Sequence, residues 1–542
     1  MTDSRDTPVV IDCTLRDGGY YNDWDFSPQL VKRYFQAAGQ AGIDVIEVGF
    51  RFFPKDKFRG AFAYTTDAFL NTLDLPKCAK IGVMVNADEL IKYGAGPTAA
   101  VDRLFQPASQ SPVDLVRVAC HLGEASKSMA VVARLKELGY VVGLNLMQVG
   151  RFSLDELRGK VVEIAAWGNV DVLYFADSLG NMDVAQVKAC AETIASGWHG
   201  PIGIHAHNNM GQALANTLGA ADAGVTWLDA TMLGMGRGAG NAQMEFLLCE
   251  MRDCGHDHYN PDAVLALVME DFQQLQTQYR WGTNLLYYTS ARHGIHPTYV
   301  QTMYNDLNYD LPHVMGALEI LKDMEGHSFS QNGLERAVAG APSDGVGAWM
   351  VTDWLKDRDV LLLGAGETAE KYSAALEAVI VEKNLAVLCL NTMPLVSEKL
   401  IMGFLACHPT RILADLDGYS QLLRPLIIPV STLHEFVLKR LPEIDHLDYG
   451  LKVEDHLFEV RENGCTIPSL VVAAYALALV TSAGAKRVFL AGFDGFEAAD
   501  YRQAEMVEVF ELYQRMPSAV PLQAITPTSF PVPQSSLFAL DI

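Results

Sequence analysis

Ile202-Gly203-Ile204-His205-Ala206-His207-Asn208-Asn209 is an apolar run that turns polar only toward its carboxyl end. Side chains of a strand alternate between faces, so His205 and His207 point the same way, a geometry suited to holding a metal ion. The helix-like stretch Gly211 to Ala223 follows, and then another apolar run, Trp227 to Leu233. The same rhythm extends back to the start of the chain. The runs Val9 to Thr14, Val45 to Phe50, Ile81 to Asn86, Leu115 to Cys120, Val141 to Met147 and Val172 to Ala176 read as strands. Pro28 to Ala41, Ala125 to Leu138, Leu154 to Trp167 and Val184 to Ser196 read as helices between them. Such alternation predicts parallel strands joined by crossover helices, and eight βα units predict a (β/α)8 TIM barrel, with a doubly wound sheet as the alternative.

In such a barrel, chemistry sits at the carboxyl ends of the strands, and the polar residues cluster there. Arg16 and Asp17 follow strand one in Asp12-Cys13-Thr14-Leu15-Arg16-Asp17-Gly18-Gly19, Glu47 lies in strand two and Asn145 in strand five. Asp177 and Ser178 follow strand six, and the turn Gly234-Met235-Gly236-Arg237-Gly238-Ala239-Gly240-Asn241 follows strand eight. Imidazoles with a carboxylate, and an amide oxygen from Asn241, form a mixed N/O donor set that suits Mn²⁺ or Mg²⁺; Zn²⁺ also fits. Such an ion would hold a 2-oxo acid and stabilise developing negative charge, with Arg16 as a fixed second cation.

Composition narrows the alternatives. The chain has 542 residues, half of them hydrophobic and a fifth charged, enough for two or three compact units. A net charge of -24 with no run of Lys or Arg argues against nucleic acid as a partner. No segment approaches the roughly 20 consecutive apolar residues of a membrane span. The opening Met1 to Asp6 carries no secretory pattern, so a cytoplasmic location is expected. Nine scattered cysteines, without a Cys-x-x-Cys pair, suit reduced thiols.

Four stretches in order, Thr14-Leu15-Arg16-Asp17-Gly18, Val45-Ile46-Glu47-Val48-Gly49, His205-Ala206-His207-Asn208-Asn209 and Gly236-Arg237-Gly238-Ala239-Gly240-Asn241, resemble the DRE-TIM metallolyases over roughly residues 8 to 300. That superfamily includes 4-hydroxy-2-oxovalerate aldolase, 3-hydroxy-3-methylglutaryl-CoA lyase and the isopropylmalate and homocitrate synthases, which act through metal-bound enolates. The resemblance implies Asp17, His205, His207 and Asn241 as metal ligands, Arg16 as the enolate-stabilising cation and Glu47 as an active-site carboxylate. It is closest to the aldolases, which carry a His three residues after the metal-binding Asp where this chain has Tyr20. Tyrosine titrates near 10, so Tyr20 replaces a histidine base only with a lowered pKa or by acting as an acid. His293 and His296 are alternative proton carriers, and Asn145, Asp177, Ser178 and His293 are candidates for substrate contact.

The expected organisation is a barrel over 1–257, a helical extension, lid or dimer element over 258–345, and a Rossmann-like α/β domain over 346–542. In the extension, Phe272 to Tyr279, Tyr287 to Arg292 and Val314 to Met324 read as helices, and 340–347 as a linker. In the last part, Asp359 to Thr368 reads as a strand and a glycine turn, followed by a helix to Glu382. Leu385 to Leu390, Arg411 to Ala414, Leu426 to Val430 and Arg487 to Ala491 read as further strands. Gly364 and Gly366 lack the third glycine of a dinucleotide fingerprint, which argues against NAD. The domain resembles the Rossmann-like units of surface-polysaccharide and nucleotide-sugar proteins, which implies a sugar or nucleotide ligand; the alternative is a structural or oligomerising domain without a ligand.

The expected activity is a metal-dependent lyase that cleaves or forms 4-hydroxy-2-oxo acids through a metal-bound pyruvate-type enolate, with a 2-oxo acid and an aldehyde as partners, in a homo-oligomer. Surface-polysaccharide or sugar metabolism is one setting for it. The alternatives are an acetyl-CoA-dependent Claisen-type acyltransferase and an inactive nucleotide-sugar-binding scaffold.

Overall fold

The computed structural model describes residues 8–54, 58–305, 311–324, 326–330, 333–334, 337–338, 343–391, 395–496 and 500–539. Met1 to Asp6 and the first residues of the expected linker fall outside them. The chain divides into two compact units, 1–305 and 306–542.

In the first unit eight parallel strands close a barrel. They are β1 (Val9–Asp12), β2 (Val45–Phe50), β3 (Lys80–Asn86), β4 (Leu115–His121), β5 (Val141–Met147), β6 (Val172–Asp177), β7 (Ile202–Ala206) and β8 (Trp227–Ala230). Each pairs with its neighbours in sequence, and β1 returns to β8 with Asp12 opposite Ala230. The expected (β/α)8 architecture is therefore present, its strands rich in Val, Ile and Leu as strands covered on both faces are.

The chain turns earlier than expected after β1. Thr14 N donates to Asp12 Oδ1 at 2.8 Å, and Thr14 Oγ1 accepts from Met232 N at 2.8 Å, so a helix runs from Thr14 to Asn22 and carries Arg16 and Asp17. Trp24 Nε1 donates to the Arg16 carbonyl at 2.8 Å, and a Cβ on Gly19 would lie 2.0 Å from the Trp24 ring. Gly19 thus admits the indole that fixes this helix.

The helices Asp262–Leu267, Gln273–Tyr279, Leu285–Arg292 and Pro297–Asn305 belong to the first unit, with a π-helical turn at Val268–Phe272. The helix Leu311–Asp323 belongs to the second. No helix among the described residues is long and apolar enough to cross a membrane.

The second unit holds β9 (Asp359–Leu363), β10 (Ala386–Leu390), β11 (Ile401–Leu405), β12 (Leu426–Ile428), β13 (His446–Asp448), β14 (Gly450–Val453), β15 (Glu459–Arg461), β16 (Gly464–Ile467), β17 (Arg487–Ala491) and β18 (Leu522–Ala524). Seven of these form a parallel sheet in the order β13-β12-β11-β10-β9-β17-β18, and β14, β16 and β15 form a small separate sheet. One expectation is corrected: Arg411 to Ala414 is not a strand but part of a helix, Pro409–Ala414, opened by a proline whose fixed φ suits a first helical turn. The strand position is taken by Ile401–Leu405, a run the sequence reading passed over.

Candidate metal centre

Asp17 comes from the helix after β1, His205 from β7 and His207 from just beyond it, and all three are buried. One ligand atom from each lies within 4.8 Å of the others. The backbone bridges His207 to Asn241, and Asn241 Nδ2 donates to Asp17 Oδ2 at 2.5 Å. This fold-back needs glycine: Gly240 has φ +84°, and a Cβ there would lie 1.9 Å from the Gly234 carbonyl oxygen. Among the described residues His205 Nε2, His207 Nδ1 and Asn241 Oδ1 are buried with no hydrogen-bond partner. Each such buried polar atom costs roughly 1–3 kcal/mol. Three of them beside a carboxylate fit a divalent cation on N and O donors.

Behind these donors runs a buried chain of charges. Arg16 pairs with Asp17 at 2.9 Å and, through Nε, with Glu47 at 2.7 Å. Glu47 also accepts from Arg117 Nε at 2.7 Å and Nη2 at 2.6 Å. Arg117 Nη1 donates to Asp229 Oδ2 at 2.7 Å, and that oxygen lies 2.9 Å from His205 Nδ1. Burial opposes charge on Asp17, yet Arg16 and the two histidines hold its carboxyl well below the usual range. Burial, reinforced by His205, Arg237 and Arg16, keeps the His207 imidazole neutral, the form that binds a metal.

A cavity of about 110 Å³ opens on these groups; Arg16, Asp17, Tyr20, Asn145, Ser178, His205, His207 and Arg237 line it.

The HMGL-like family model matches residues 7–269. The 4-hydroxy-2-oxovalerate aldolase of Pelotomaculum thermopropionicum is 34% identical over 251 residues, spanning 46% of this chain and 70% of that protein. That of Carboxydothermus hydrogenoformans is 32% identical, spanning 46% of this chain and 71% of that protein. The oxaloacetate decarboxylase of Mycobacterium tuberculosis is 28% identical, spanning 47% of this chain and 73% of that protein. The chain belongs to the HMGL-like family. Its relatives support a metal-dependent lyase of aldolase type.

Within this HMGL-like barrel the candidate residues divide. Tyr20 and Ser178 face the cavity, as does Asn145, whose Oδ1 is buried without a hydrogen-bond partner among the described residues. Burial raises the Tyr20 phenol above its ordinary pKa, against the pull of Arg237. Glu47 stands behind Arg16 and does not line the cavity. Asp177 also lies outside it: its carboxylate accepts from Asn181 N at 3.1 Å and Met182 N at 3.2 Å, and burial raises its pKa to about 7. His293 ends the helix Leu285–Arg292, away from the cavity lining. His296 is held neutral by burial and by the nearby charge of Arg237.

Sequence reasoning did not single out Arg117, Asp229 or Arg237 as site residues. For the first two a signal existed, since Val116-Arg117-Val118 and Leu228-Asp229-Ala230 put a charge in mid-strand among apolar neighbours.

Proposed function

We propose that the barrel unit cleaves or forms 4-hydroxy-2-oxo acids, with a pyruvate-type enolate and an aldehyde as the two halves of the reaction. The observation that carries this reading is the convergence of Asp17, His205, His207 and the Asn241 amide, with Arg16 alongside. When bound, a divalent ion supplies positive charge for the carboxylate and keto oxygens of the 2-oxo acid.

Arg16 commits Nε to Glu47 and Nη1 to Asp17, which leaves the buried Nη2 without a partner among the described residues. That donor is free to meet the keto oxygen as negative charge grows on it. Glu47 and Arg117 are positioning residues that fix the angle of the guanidinium. Because Tyr20 stays a neutral phenol, we assign it a relay that begins as an acid: Oη gives its proton to C3 of the enolate after the aldehyde leaves, and the proton that the 4-hydroxyl releases to water as the C3–C4 bond breaks restores the phenol.

The test is pyruvate release from 4-hydroxy-2-oxo acids of several chain lengths with Mn²⁺ or Mg²⁺, with chelator, and with His205→Ala. Release that requires both the metal and His205 supports the reading. Release of a thiol from acetyl-CoA, with no aldol cleavage, would replace it with a Claisen-type synthase. The oxaloacetate decarboxylase relative favours a second reading, in which the same enolate forms by loss of CO2, and CO2 release from oxaloacetate without aldol cleavage would select it.

For the second unit we propose sugar or nucleotide capture where the strand order reverses, at the carboxyl ends of β9 and β17. There Asp494 accepts from Thr368 N at 2.9 Å at the start of the helix Glu367–Lys371. A carboxylate already in that position favours a ligand's hydroxyls over its phosphate.

A further inference from the structure

Among the described residues Arg237 is a cation without a counter-ion. It lines the cavity that opens on Asp17, His205 and His207, and its Nε is buried with no hydrogen-bond partner among the described residues. No acidic side chain among the described residues pairs with its guanidinium. Its backbone, by contrast, is held on both sides. Gly238 N donates to Gln301 Oε1 at 3.1 Å, Tyr21 Oη donates to the Gly238 carbonyl at 2.6 Å, and Gly240 N donates to the Arg237 carbonyl at 3.2 Å. The guanidinium lies 5.6 Å from the centre of the Tyr20 ring. A firmly mounted, partly desolvated guanidinium with no protein anion is costly to keep unless a ligand supplies one.

The charge balance of the cavity points the same way. Its lining holds two arginines against a single carboxylate, Asp17, which Arg16 already pairs. A divalent ion makes this excess larger. The 2-oxo acid's own carboxylate is accounted for at the metal end, beside Arg16 Nη2.

We propose that Arg237 pairs with a carboxylate or phosphate at the far end of the substrate, so that the substrate carries two anionic groups. This rests on the proposed function for the metal end alone. Guanidinium geometry matches either anion through two parallel hydrogen bonds. Pairing preserves the anion's charge and so opposes its loss as CO2; the paired group is a spectator and not a leaving group.

The test is binding, measured by calorimetry on the Mn²⁺-loaded full chain. The probes are 2-oxoglutarate, its isostere 2-oxo-4-phosphonobutyrate and the uncharged-tail analogue 2-oxohexanoate. Wild type is expected to bind one of the two dianions at least ~10-fold more tightly than 2-oxohexanoate, as a charge-assisted hydrogen bond allows. The better dianion identifies the group. Arg237→Ala is expected to bring the ratio near one, and Arg237→Lys to retain part of it, which separates lost charge from lost fold. A wild-type ratio near one, or one that survives in Arg237→Ala, overturns the proposal. Exchange of the pyruvate methyl protons with deuterated solvent, followed in wild type alone, reads the enolate chemistry separately. Selectivity without exchange keeps the anion site and removes the lyase reading; exchange without selectivity does the reverse.

Discussion

Asp229 Oδ2 lies 2.9 Å from His205 Nδ1, on the far side of the imidazole from Nε2, which is turned toward Asp17 at 3.4 Å. The carboxylate fixes the tautomer with the proton on Nδ1, leaving the Nε2 lone pair for a cation. Asp229→Asn is expected to weaken Mn²⁺ binding by ~10- to 100-fold while the fold is retained, as measured by calorimetry with the far-ultraviolet spectrum as control.

Arg117 is completely buried between Glu47 and Asp229, with its guanidinium 4.6 Å from the centre of the Tyr174 ring. Arg117→Met leaves Glu47 with Arg16 alone and Asp229 with His205 alone, a loss of about 3–5 kcal/mol. Urea unfolding reads it; a midpoint equal to wild type would refute the role.

Tyr20→Phe removes the relay hydroxyl and keeps the ring that packs edge-on against Trp24 at 4.9 Å. Turnover is expected to fall by ~100-fold or more, with a much smaller change in KM. Steady-state pyruvate release is the measurement.

Metal binding to the native state alone raises stability by about 2.7 kcal/mol at a hundred times Kd. Thermal melting of wild type is therefore expected to shift upward with Mn²⁺ and back with chelator. His207→Ala should abolish most of that shift.

Asp12 provides a pH signature away from the metal ligands. Burial raises its carboxyl to about 6, although Tyr34 Oη donates to it at 2.5 Å and Thr14 N at 2.8 Å. The folded value exceeds the unfolded one of about 3.9, so this group's contribution is full below pH 4 and is lost as pH rises through 6. The loss is roughly 3 kcal/mol. Asp12→Asn should flatten the fall in stability between pH 4 and pH 6 relative to wild type, as read by urea unfolding at several pH values.

The barrel and its candidate donor set were legible in the chain because both are local patterns. His205 and His207 share a face through the period of one strand, and Asp17 and Asn241 stand where strands run out into glycine-bearing turns. Arg411 to Ala414 misled because a short apolar run carries no period that separates strand from helix, and Pro409 settles the choice. Asp177 and His293 also stand at strand and helix ends, where capping and catalysis draw on the same residue types; only placement separates them.

The sequence by itself determined the order of strands, the cationic and carboxylate residues at their ends, and the donor types for a metal. Tertiary structure alone decided which of them meet. Asp17 and Asn241 bond across 224 residues of chain, and Arg117 and Asp229 across 112, because closing the barrel brings the ends of distant strands to one mouth. It also decided which charges found partners: Glu47 is surrounded by arginines, while Arg237 faces the cavity alone among the described residues. Pairing depends on distances of a few ångströms across the barrel, and no local period in the chain encodes those.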